Sequence, residues 1–375
     1  MPSAETIEEV RHYLHQNPEL SGEEIQTSTF LQEFISKNYR DYRIHESSIS
    51  NGFIASKKYG EGLHVAFRAE LDALPILEEN QFRYKSQKVG ASHACGHDGH
   101  MTSLLATLQL LENQVTKLGT ASFLFQPAEE TGKGAQELLT DLVFDQFKPD
   151  ALIALHNIPG KPLGSILSRA GTFACGSVGL RLKVRGKTSH AAHPEESVNP
   201  LLLSKTFLDD MLRLSESREG FSLATPIAFH SGQDTFGISP LDSTLLMTLR
   251  AADSQDLEEL MGQAQLMAEQ INSIDGARAE LTFEEFFPIT ANDHFHSDLE
   301  EISSRLKRPF ENMEDPFRWS EDFGHYAKRC KTHMFGHGAG IETSPLHAST
   351  YDFPDELIQS GAEVFVEFYN HMLRK

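Results

Sequence analysis

The order in which strand-like and helix-like segments follow one another is the feature that most constrains the fold of this chain. Residues 7–14 and 25–35 carry apolar side chains at helical spacing, with a break at Pro18 between them. Three later runs are typical of strands: "LHVAFRAELDALP", "GTASFLFQPAEE" and "PDALIALHN". Between the first and the second of these strands, the residues after Asp98 have the apolar period of a helix. This alternation predicts an α/β domain with a mostly parallel sheet flanked by helices.

The middle of the chain has a different pattern. Apolar residues alternate over 178–184 as in a strand, and a helix is predicted over 198–217. Two strand-like runs, a second helix and a last strand follow. This β-α-β-β-α-β order is that of the ferredoxin-like arrangement. We therefore predict one α/β domain in two pieces, residues 1–174 and 287–375, with a smaller α/β domain of residues 175–286 inserted between them.

Charge and composition exclude several classes of function. The 375 residues include 54 Asp and Glu against 33 Lys and Arg, a formal net charge of −21. Like charges repel, so we expect no nucleic-acid partner and no anionic membrane surface, and we expect a small-molecule substrate. No apolar run approaches the ~18–20 residues of a membrane span, and the acidic start is unlike a signal peptide. The three cysteines do not indicate a disulfide framework, and we predict a cytoplasmic protein.

The stretch "SHACGHDGH", residues 92–100, places one cysteine and three histidines within nine residues. Cys95 and His97 form a C-x-H pair ahead of a helix, and thiolate and neutral imidazole are good ligands for Zn²⁺ and related ions. The neighbouring glycines let the backbone bend so that both side chains converge. We expect Asp98 to cap the helix or to support a ligand. The alternative is a buried free cysteine beside surface histidines.

Two adjacent glutamates, Glu129 and Glu130, follow the apolar run "FLFQPA". Carboxylates at the end of a buried strand are unfavourable unless a cation pairs with them. In an extended segment neighbouring side chains point apart, so we expect one carboxylate to bind a metal and the other to face a metal-activated water as a general base. The alternative is a solvated pair of charges in a loop.

Two further histidines complete a candidate ligand set. His156 follows an apolar strand, and His347 lies in the loop "SPLHAS". Either residue alone is more often structural than a ligand. Together with Cys95, His97 and one glutamate they make five ligands, which is too many for one tetrahedral Zn²⁺ with an open position. Five ligands fit two ions ~3.5–4 Å apart that share a bridging ligand and a water.

The chain resembles a known family over nearly its whole length. The segments "RHYLHQNPELSGEE", "FRAELDALPI", "SHACGHDGH", "FQPAEE", "LHN", "GKTSHAAHP", "SEDFGHY" and "PLHAS" occur in the order typical of one group of amidohydrolases. That group includes hippurate hydrolase, indole-acetyl-amino-acid hydrolases and N-acetyldiaminopimelate deacetylases. It belongs to the dinuclear aminoacylase and carboxypeptidase superfamily.

The resemblance implies roles for particular residues. Two divalent ions, zinc or manganese with cobalt or nickel as alternatives, would be held by Cys95, His97, Glu130, His156 and His347, with Cys95 as the bridge. Glu129 would be the general base and Asp72 would orient a metal ligand. His190, on the inserted domain, would stabilise the oxyanion of its own or a partner's active site. The inserted domain would act as lid and as dimerisation surface, so we expect a homodimer or a higher homo-oligomer.

Arg250 matches a family arginine near the substrate. It would hold a substrate carboxylate or simply pair with an acidic neighbour. We assign no function to His93, His100 and His193. One departure from the family pattern is the run "GQDTFGISP", in which Gly237 stands where relatives have an asparagine that contacts the substrate.

The predicted activity is metal-dependent hydrolysis of the amide bond of small N-acyl amino acids, either hippurate-like or N-acetyl compounds. One alternative is a deacetylase of N-acetyldiaminopimelate or of another acetylated amine. Another is a metal-holding protein that binds a ligand without turnover. A third is a thiol hydrolase in which Cys95 is the nucleophile, and chelator resistance would distinguish that enzyme from the others.

Overall fold

The computed structural model describes residues 6–114 and 118–375. Its contacts divide the described chain into two compact units. The first unit comprises the residues up to Phe173 together with Thr290–Asp315 and Asp322–Lys375, and the second comprises Ala174–Ile289 and Pro316–Glu321. The short piece Pro316–Glu321 leaves the first unit and returns to it, which the sequence pattern did not indicate.

The elements agree with the predicted alternation. The strands are β1 (Arg43–Glu46), β2 (Phe53–Lys58), β3 (His64–Glu70), β4 (Thr120–Gln126), β5 (Ala151–Ile158), β6 (Ile166–Ser168), β7 (Gly171–Ala174), β8 (Gly176–Arg185), β9 (Ser222–Ser231), β10 (Asp242–Ala251), β11 (Arg278–Phe287), β12 (Thr290–Asn292), β13 (Phe310–Asn312) and β14 (Lys331–Gly338). The α-helices are α1 (Ile7–Gln16), α2 (Ile25–Asn38), α3 (His97–Glu112), α4 (Gly134–Thr140), α5 (Leu142–Gln146), α6 (Pro200–Glu216), α7 (Ser254–Asn272), α8 (His296–Leu306) and α9 (Glu356–Arg374). Short 3-10 helices cover Pro194–Glu196 and Asp322–Lys328.

The first unit is built on a mainly parallel sheet. Among the described residues its strand order is β1-β2-β4-β3-β5-β14-β6-β13. The four central strands β4, β3, β5 and β14 are parallel neighbours, and antiparallel pairing occurs nearer the edges. Parallel strands buried on both faces read as continuous apolar runs, which explains why "FLF" and "ALIAL" do not alternate with polar residues. The predicted fold class is confirmed.

Aromatic side chains hold helices against this sheet. Phe67 of β3 packs on Phe123 of β4 and on Phe365 of α9, with ring centroids 5.5 and 5.1 Å apart. All three side chains are fully buried, and each contributes roughly 1.5–3 kcal/mol through removal of apolar surface from water. Helix α3 packs along α9 on this sheet. This contact with α9 fixes the position of the first residues of α3, and therefore the end of the loop that precedes α3.

The carboxyl ends of the parallel strands meet at one edge of the sheet. Glu70 ends β3 and is paired in register with Gln126, which ends β4. His156 lies near the end of β5, which runs parallel to β3. Polar residues that follow these strands are therefore brought together at the edge where ligand sites form in open α/β sheets.

The second unit has the predicted β-α-β-β-α-β order, from β8 through α6, β9, β10 and α7 to β11. Its four strands form an antiparallel sheet in the order β11-β8-β10-β9. Alternate residues of β8, including Val178, Leu180 and Leu182, are buried in one cluster with Phe207 of α6 and Leu260 of α7. The strict alternation on β8 reflects a sheet covered by helices on one face.

No helix in the described ranges combines the length and the apolar composition that crossing a membrane requires.

Candidate metal centre

The loop between Ser92 and His97 places two candidate ligands by a tight turn. The amide of Gly96 donates to the carbonyl of His93 at 3.1 Å, and α3 begins at His97. Gly96 has φ +91°, and a Cβ there would lie 2.9 Å from the side chain of Asn157. Only glycine fits both this backbone conformation and this close approach.

Asp98 does not cap α3, so the first of the two expectations for this residue is wrong and the second, a supporting role, stays a prediction. Gly96 occupies the cap position, and no side chain caps it within the described residues. The Asp98 carboxylate is instead fully buried, 3.1 Å from Arg11 Nη1 and 2.8 Å from His15 Nδ1. It ties α1 to the start of α3 and supports the loop from behind.

Cys95, His97 and His156 come together as a buried triad. Their candidate ligand atoms all lie within 4.8 Å of one another, and Cys95 Sγ is 3.6 Å from His156 Nε2. The ring of His156 is oriented by a contact of its Nδ1 with the carbonyl oxygen of Asn157, at 3.0 Å. The sulfur and the two imidazoles thus face a common point, as ligands of one ion would.

Glu129 and Glu130 lie in a turn, and both carboxylates approach His97. Its Nε2 is 4.0 Å from Glu129 Oε2 and 3.9 Å from Glu130 Oε1. The expectation that the two side chains point apart is wrong, because the segment is not extended. Ala128 has φ +52°, in the left-handed region, and the chain turns directly after it.

Glu130 also belongs to a second group, with Cys95 and His347, whose ligand atoms lie within 4.8 Å of one another. His347 Nε2 is 3.9 Å from Glu130 Oε1. The backbone of His347 has φ +64°, and its amide donates to the carbonyl of Ala94 at 2.8 Å. The loop at 347 is thereby attached directly to the cysteine loop. Cys95 is common to this group and to the buried triad, so the two groups of candidate ligands share this one residue.

Asp72 lies behind His97. The Nδ1 atom of His97 is 2.8 Å from the Asp72 carbonyl oxygen and 3.4 Å from its carboxylate Oδ1. The other carboxylate oxygen, Oδ2, accepts hydrogen bonds from Ser21 Oγ at 2.7 Å and from the Glu130 amide at 2.9 Å. A proton on Nδ1 of His97 leaves Nε2 available for a metal, which is the usual arrangement of a histidine ligand.

The electrostatics of the cluster favour a bound cation. Burial disfavours a charged His97, but Asp72, Glu70 and Glu130 outweigh burial and raise its pKa to about 10. Burial raises the pKa of Glu130 to about 7, although His97 opposes this change. Burial, with the neighbouring His100, lowers the pKa of His156 to about 3. An acidic pocket that draws a proton onto one imidazole is a pocket in which a divalent ion can replace that proton.

Within the described chain, the buried side-chain atoms without a hydrogen-bond partner include one atom of each of two candidate ligands, His97 Nε2 and Glu130 Oε1. Buried polar atoms without partners are unfavourable by roughly 1–3 kcal/mol each. These two atoms face each other at 3.9 Å, and a cation between them satisfies both. The donor set therefore fits a metal.

A buried polar network beneath the candidate ligands was not predicted from the sequence. Arg68 binds the carboxylate of Glu70 and donates from Nη2 to Asp322 Oδ1 at 2.7 Å. The other oxygen of Glu70 lies 2.6 Å from His100 Nδ1, and His100 Nε2 lies 2.5 Å from Asn157 Oδ1. His100, to which we assigned no function, connects the end of β3 to the residue after the candidate ligand His156. The signal was present in "FRAELDALP", where two charged residues interrupt a buried strand.

His190 and Arg250 lie in the second unit. His190 is exposed, and its Nδ1 accepts a hydrogen bond from the Ala192 amide at 3.1 Å. Arg250 Nη1 donates to the carbonyl of Arg318 at 3.1 Å and to Ser320 Oγ at 2.9 Å. Both partners belong to the returning piece Pro316–Glu321, and neither is an acidic side chain.

Comparison with known proteins agrees with this fold and donor set. Residues 66–371 match the family described as Peptidase family M20/M25/M40. IAA-amino acid hydrolase ILR1-like 4 of Arabidopsis thaliana is 30% identical over 369 residues, which cover 95% of this chain and 83% of that protein. The hippurate hydrolase of Campylobacter jejuni is 27% identical over 370 residues, which cover 96% and 95% of the two chains.

Solved structures have the same architecture. A protein of methicillin-resistant Staphylococcus aureus, described as a putative aminohydrolase, superposes with a TM-score of 0.87 at 25% identity and covers 98% of this chain and 96% of its own. The Bacillus subtilis protein YXEP, described as a dinuclear metal binding peptidase from the M20 family, superposes with a TM-score of 0.84 at 24% identity. The alignment covers 98% of each chain.

The fold and the donor cluster define a metal-dependent hydrolase that acts on amides. The chain belongs to peptidase family M20/M25/M40.

Proposed function

We propose that this enzyme hydrolyses the amide bond of small N-acyl amino acids, with hippurate-like and N-acetyl compounds as the substrate classes. The observation that carries the proposal is a pair of carboxylates beside one imidazole: the buried Glu129 and the partly buried Glu130 both lie within 4.0 Å of His97 Nε2. A ligand and a base side by side are what metal-assisted amide hydrolysis needs. The names of the Arabidopsis and Campylobacter relatives support the substrate class.

We propose that two divalent ions, zinc or manganese, are held at this centre, with cobalt or nickel as alternatives. Cys95 is the bridging ligand, because it belongs to both groups of candidate ligands. The full ligand set is Cys95, His97, Glu130, His156 and His347. A mixed set of sulfur, nitrogen and oxygen donors accepts several first-row metals.

When bound, the ions supply Lewis acidity to the amide carbonyl and to the attacking water. The carboxylate of Glu129 takes a proton from that water while the water oxygen forms a bond to the carbonyl carbon of the substrate. The same carboxylate returns the proton to the amide nitrogen as the carbon–nitrogen bond breaks, which releases a carboxylic acid and an amine. Asp72 holds His97 so that its Nε2 faces the centre.

His190 is proposed as the donor that stabilises the oxyanion. Its Nδ1 accepts a backbone hydrogen bond, so the proton of the neutral ring is on Nε2, which can then donate. In other enzymes one such donor lowers the activation free energy by ~3–4 kcal/mol. Arg250 is proposed to hold the substrate carboxylate. Both assignments rest on the resemblance of "GKTSHAAHP" and "MTLR" to the family segments.

We also propose that the protein is a cytoplasmic homodimer that associates through the second unit. Strand β9 lies at the edge of the antiparallel sheet and carries the exposed apolar side chains Leu223, Ile227 and Phe229. An exposed apolar edge strand is a surface that a second chain can cover.

A panel assay tests the proposed activity. Amine release is measured from hippurate, from N-acetyl amino acids and from N-acetyldiaminopimelate. Each compound is tested with the purified enzyme, after chelation, and after Zn²⁺ or Mn²⁺ is added back. We expect activity to be lost on chelation and restored by metal, with the best substrate an N-acyl amino acid. Activity that resists the chelator would instead indicate a thiol hydrolase with Cys95 as nucleophile. Metal and ligand binding without turnover would indicate a binding protein.

A further inference from the structure

Glu24 is a buried acidic residue that the proposed mechanism does not use. It is fully buried and occupies the cap position before α2, where an acidic side chain ordinarily accepts hydrogen bonds from the first amides of the helix. In the described structure its side chain does not cap the helix. Oε1 accepts hydrogen bonds from the amides of Gly22 and Ala128, both at 2.8 Å, and Oε2 accepts one from Asn51 Nδ2 at 3.1 Å. Glu24 therefore reaches across the fold to the residue before Glu129.

Ala128 needs such a partner because its backbone is strained. Its φ of +52° lies in the left-handed region, which alanine adopts rarely because its Cβ crowds the following carbonyl. Strain of this kind persists only where surrounding contacts hold the backbone, and it is common at functional sites. The following residues are held as well. The amide of Gly134 donates to the Ala128 carbonyl at 3.1 Å, and a Cβ on Gly134 would lie 1.6 Å from the Pro127 carbonyl oxygen.

The amides on both sides of Glu129 donate to buried carboxylates. The Ala128 amide donates to Glu24, and the Glu130 amide donates to Asp72 Oδ2 at 2.9 Å. The bond to Glu24 holds the Pro127–Ala128 peptide plane, and the bond to Asp72 holds the Glu129–Glu130 plane. The plane between them contains the Ala128 carbonyl, which accepts from Gly134. With these planes held, the direction in which the Glu129 side chain leaves the backbone is set. The left-handed turn is also the reason that Glu129 and Glu130 both approach His97 instead of pointing apart.

We propose that Glu24 is a positioning residue for Glu129, which it holds towards the ligand cluster by keeping Ala128 in the left-handed conformation. This inference rests on the proposed role of Glu129 as general base. Glu24 itself touches neither substrate nor metal in this mechanism. The bond to Ala128 uses Oε1 alone, and the amide oxygen of glutamine can supply that acceptor, with loss of the contact between Oε2 and Asn51. Glutamine at this position should therefore serve almost as well as glutamate. Aspartate, which is shorter by one methylene, should not.

The test compares Glu24→Ala, Glu24→Asp and Glu24→Gln with Glu23→Gln, a matched change at the exposed neighbour in the same "SGEE" segment. For a substrate that the wild type hydrolyses, we expect the kcat of Glu24→Ala and Glu24→Asp to fall at least tenfold. KM should change less than threefold, and the bound metal should remain. Glu24→Gln and Glu23→Gln should stay within threefold of wild-type kcat. If Glu24→Ala does not fold, the contrast between Asp and Gln carries the test.

Rescue distinguishes positioning from general stability. Glycine adopts positive φ without strain, so Ala128→Gly should make the turn less dependent on Glu24. The double variant Glu24→Ala/Ala128→Gly should recover at least threefold in kcat over Glu24→Ala. A wild-type kcat in Glu24→Ala, or a double variant no faster than the single one, would overturn the inference.

Hydrogen–deuterium exchange gives a measurement that does not depend on turnover. Amides of residues 128–134 should exchange faster in Glu24→Ala than in the wild type and in Glu23→Gln, and metal should be present throughout. Unchanged exchange in this segment would overturn the inference whatever the activity. If the wild type hydrolyses no amide while the exchange rates differ as expected, then the proposed function is wrong. The conclusion that Glu24 stabilises the turn at Ala128 would still be supported.

Discussion

At the scale of single residues, the backbone around Glu129 and Cys95 decides what their side chains can do. Neither residue type is distinctive, since glutamate and cysteine occur in every class of protein. Glu129 is set beside His97 by the strained turn at Ala128, and Cys95 is set between two groups of ligands by the turn at Gly96. A change at either side chain should therefore remove one chemical role and leave the fold in place.

Glu129→Gln should keep the bound metal and lose nearly all turnover. Glutamine has the shape of glutamate but cannot accept the proton of the attacking water, and a general base contributes ~10²–10⁴-fold to a rate. We expect kcat to fall at least 100-fold, with metal content by elemental analysis equal to that of the wild type. Turnover above a hundredth of wild type would remove Glu129 from the role of base.

Cys95→Ala should lose at least one equivalent of metal. Cys95 is the ligand common to the two groups, so its removal takes a donor from both. Cys175→Ala is the matched control, because that cysteine is also buried but lies in the second unit. Elemental analysis after dialysis should separate the two variants. An unchanged metal content in Cys95→Ala would show that Cys95 is not a bridge.

At the scale of elements, the contact between α1 and α3 supports the metal loop. Arg11 and His15 lie one turn apart on α1 and share the buried carboxylate of Asp98 in the first turn of α3. Arg11 also binds Asp352 at 2.9 Å, and His15 Nε2 lies 3.2 Å from Glu78 Oε1. Removal of one partner from a buried ion pair leaves the other charge uncompensated, which destabilises by ~3–5 kcal/mol.

This contact makes the stability of the fold depend on pH. Burial alone would lower the pKa of His15, but Asp98 and Glu78 outweigh burial and raise it to about 9 from an ordinary value near 6.5. The charged imidazole therefore stabilises the fold fully below pH 6.5, and this stabilisation is lost as the pH rises towards 9. The shift corresponds to ~3 kcal/mol.

Denaturant unfolding of wild type and His15→Gln at pH 6 and pH 9.5 measures this effect. The free energy of unfolding of the wild type should fall more between these two pH values than that of His15→Gln. The exposed His45→Gln should behave as the wild type does. If wild type and His15→Gln lose the same amount, then the charge of His15 does not support the contact.

Elements were predicted from the sequence better than contacts between them. Helices α1, α2, α3, α6 and α7, strands β3, β4 and β5, and the four strands of the second unit were predicted from apolar patterns, because burial leaves a local pattern. Strands β1, β2 and β14 of the first unit were not predicted. The role of Asp98 does not follow, since its partners lie more than 80 positions away in the chain. The common direction of Glu129 and Glu130 depends on the positive φ of Ala128, and alanine gives no sign of that conformation. The candidate ligand residues could be predicted only as a set, since none of them is distinctive alone.

At the scale of the whole molecule, an acidic chain concentrates negative charge at one buried centre. The net charge is −21, and buried carboxylates of Glu70, Asp72, Glu129 and Asp322 surround or support the ligand cluster. Among these, Glu70 and Asp322 share the guanidinium of Arg68. Glu129 and Glu130 instead approach His97, a candidate ligand whose pKa the surrounding carboxylates raise to about 10 against the effect of burial. A bound metal would replace the proton of His97 as the counter-charge, and it should stabilise the folded state as well as act in catalysis.

Metal removal should therefore lower the melting temperature of the protein. A ligand that binds only the folded state stabilises it by ~2.7 kcal/mol at 100 times its Kd. For a unit of this size that corresponds to roughly 5–10 °C. Scanning calorimetry of the enzyme as purified, after chelation, and after metal is added back should show a reversible fall of this size. Glu129→Gln should show the same fall, because it keeps the ligands, whereas Cys95→Ala should start lower and respond less. Equal melting temperatures before and after chelation would mean that chelation removed no ion that binds preferentially to the folded state, which would contradict the proposed metal centre.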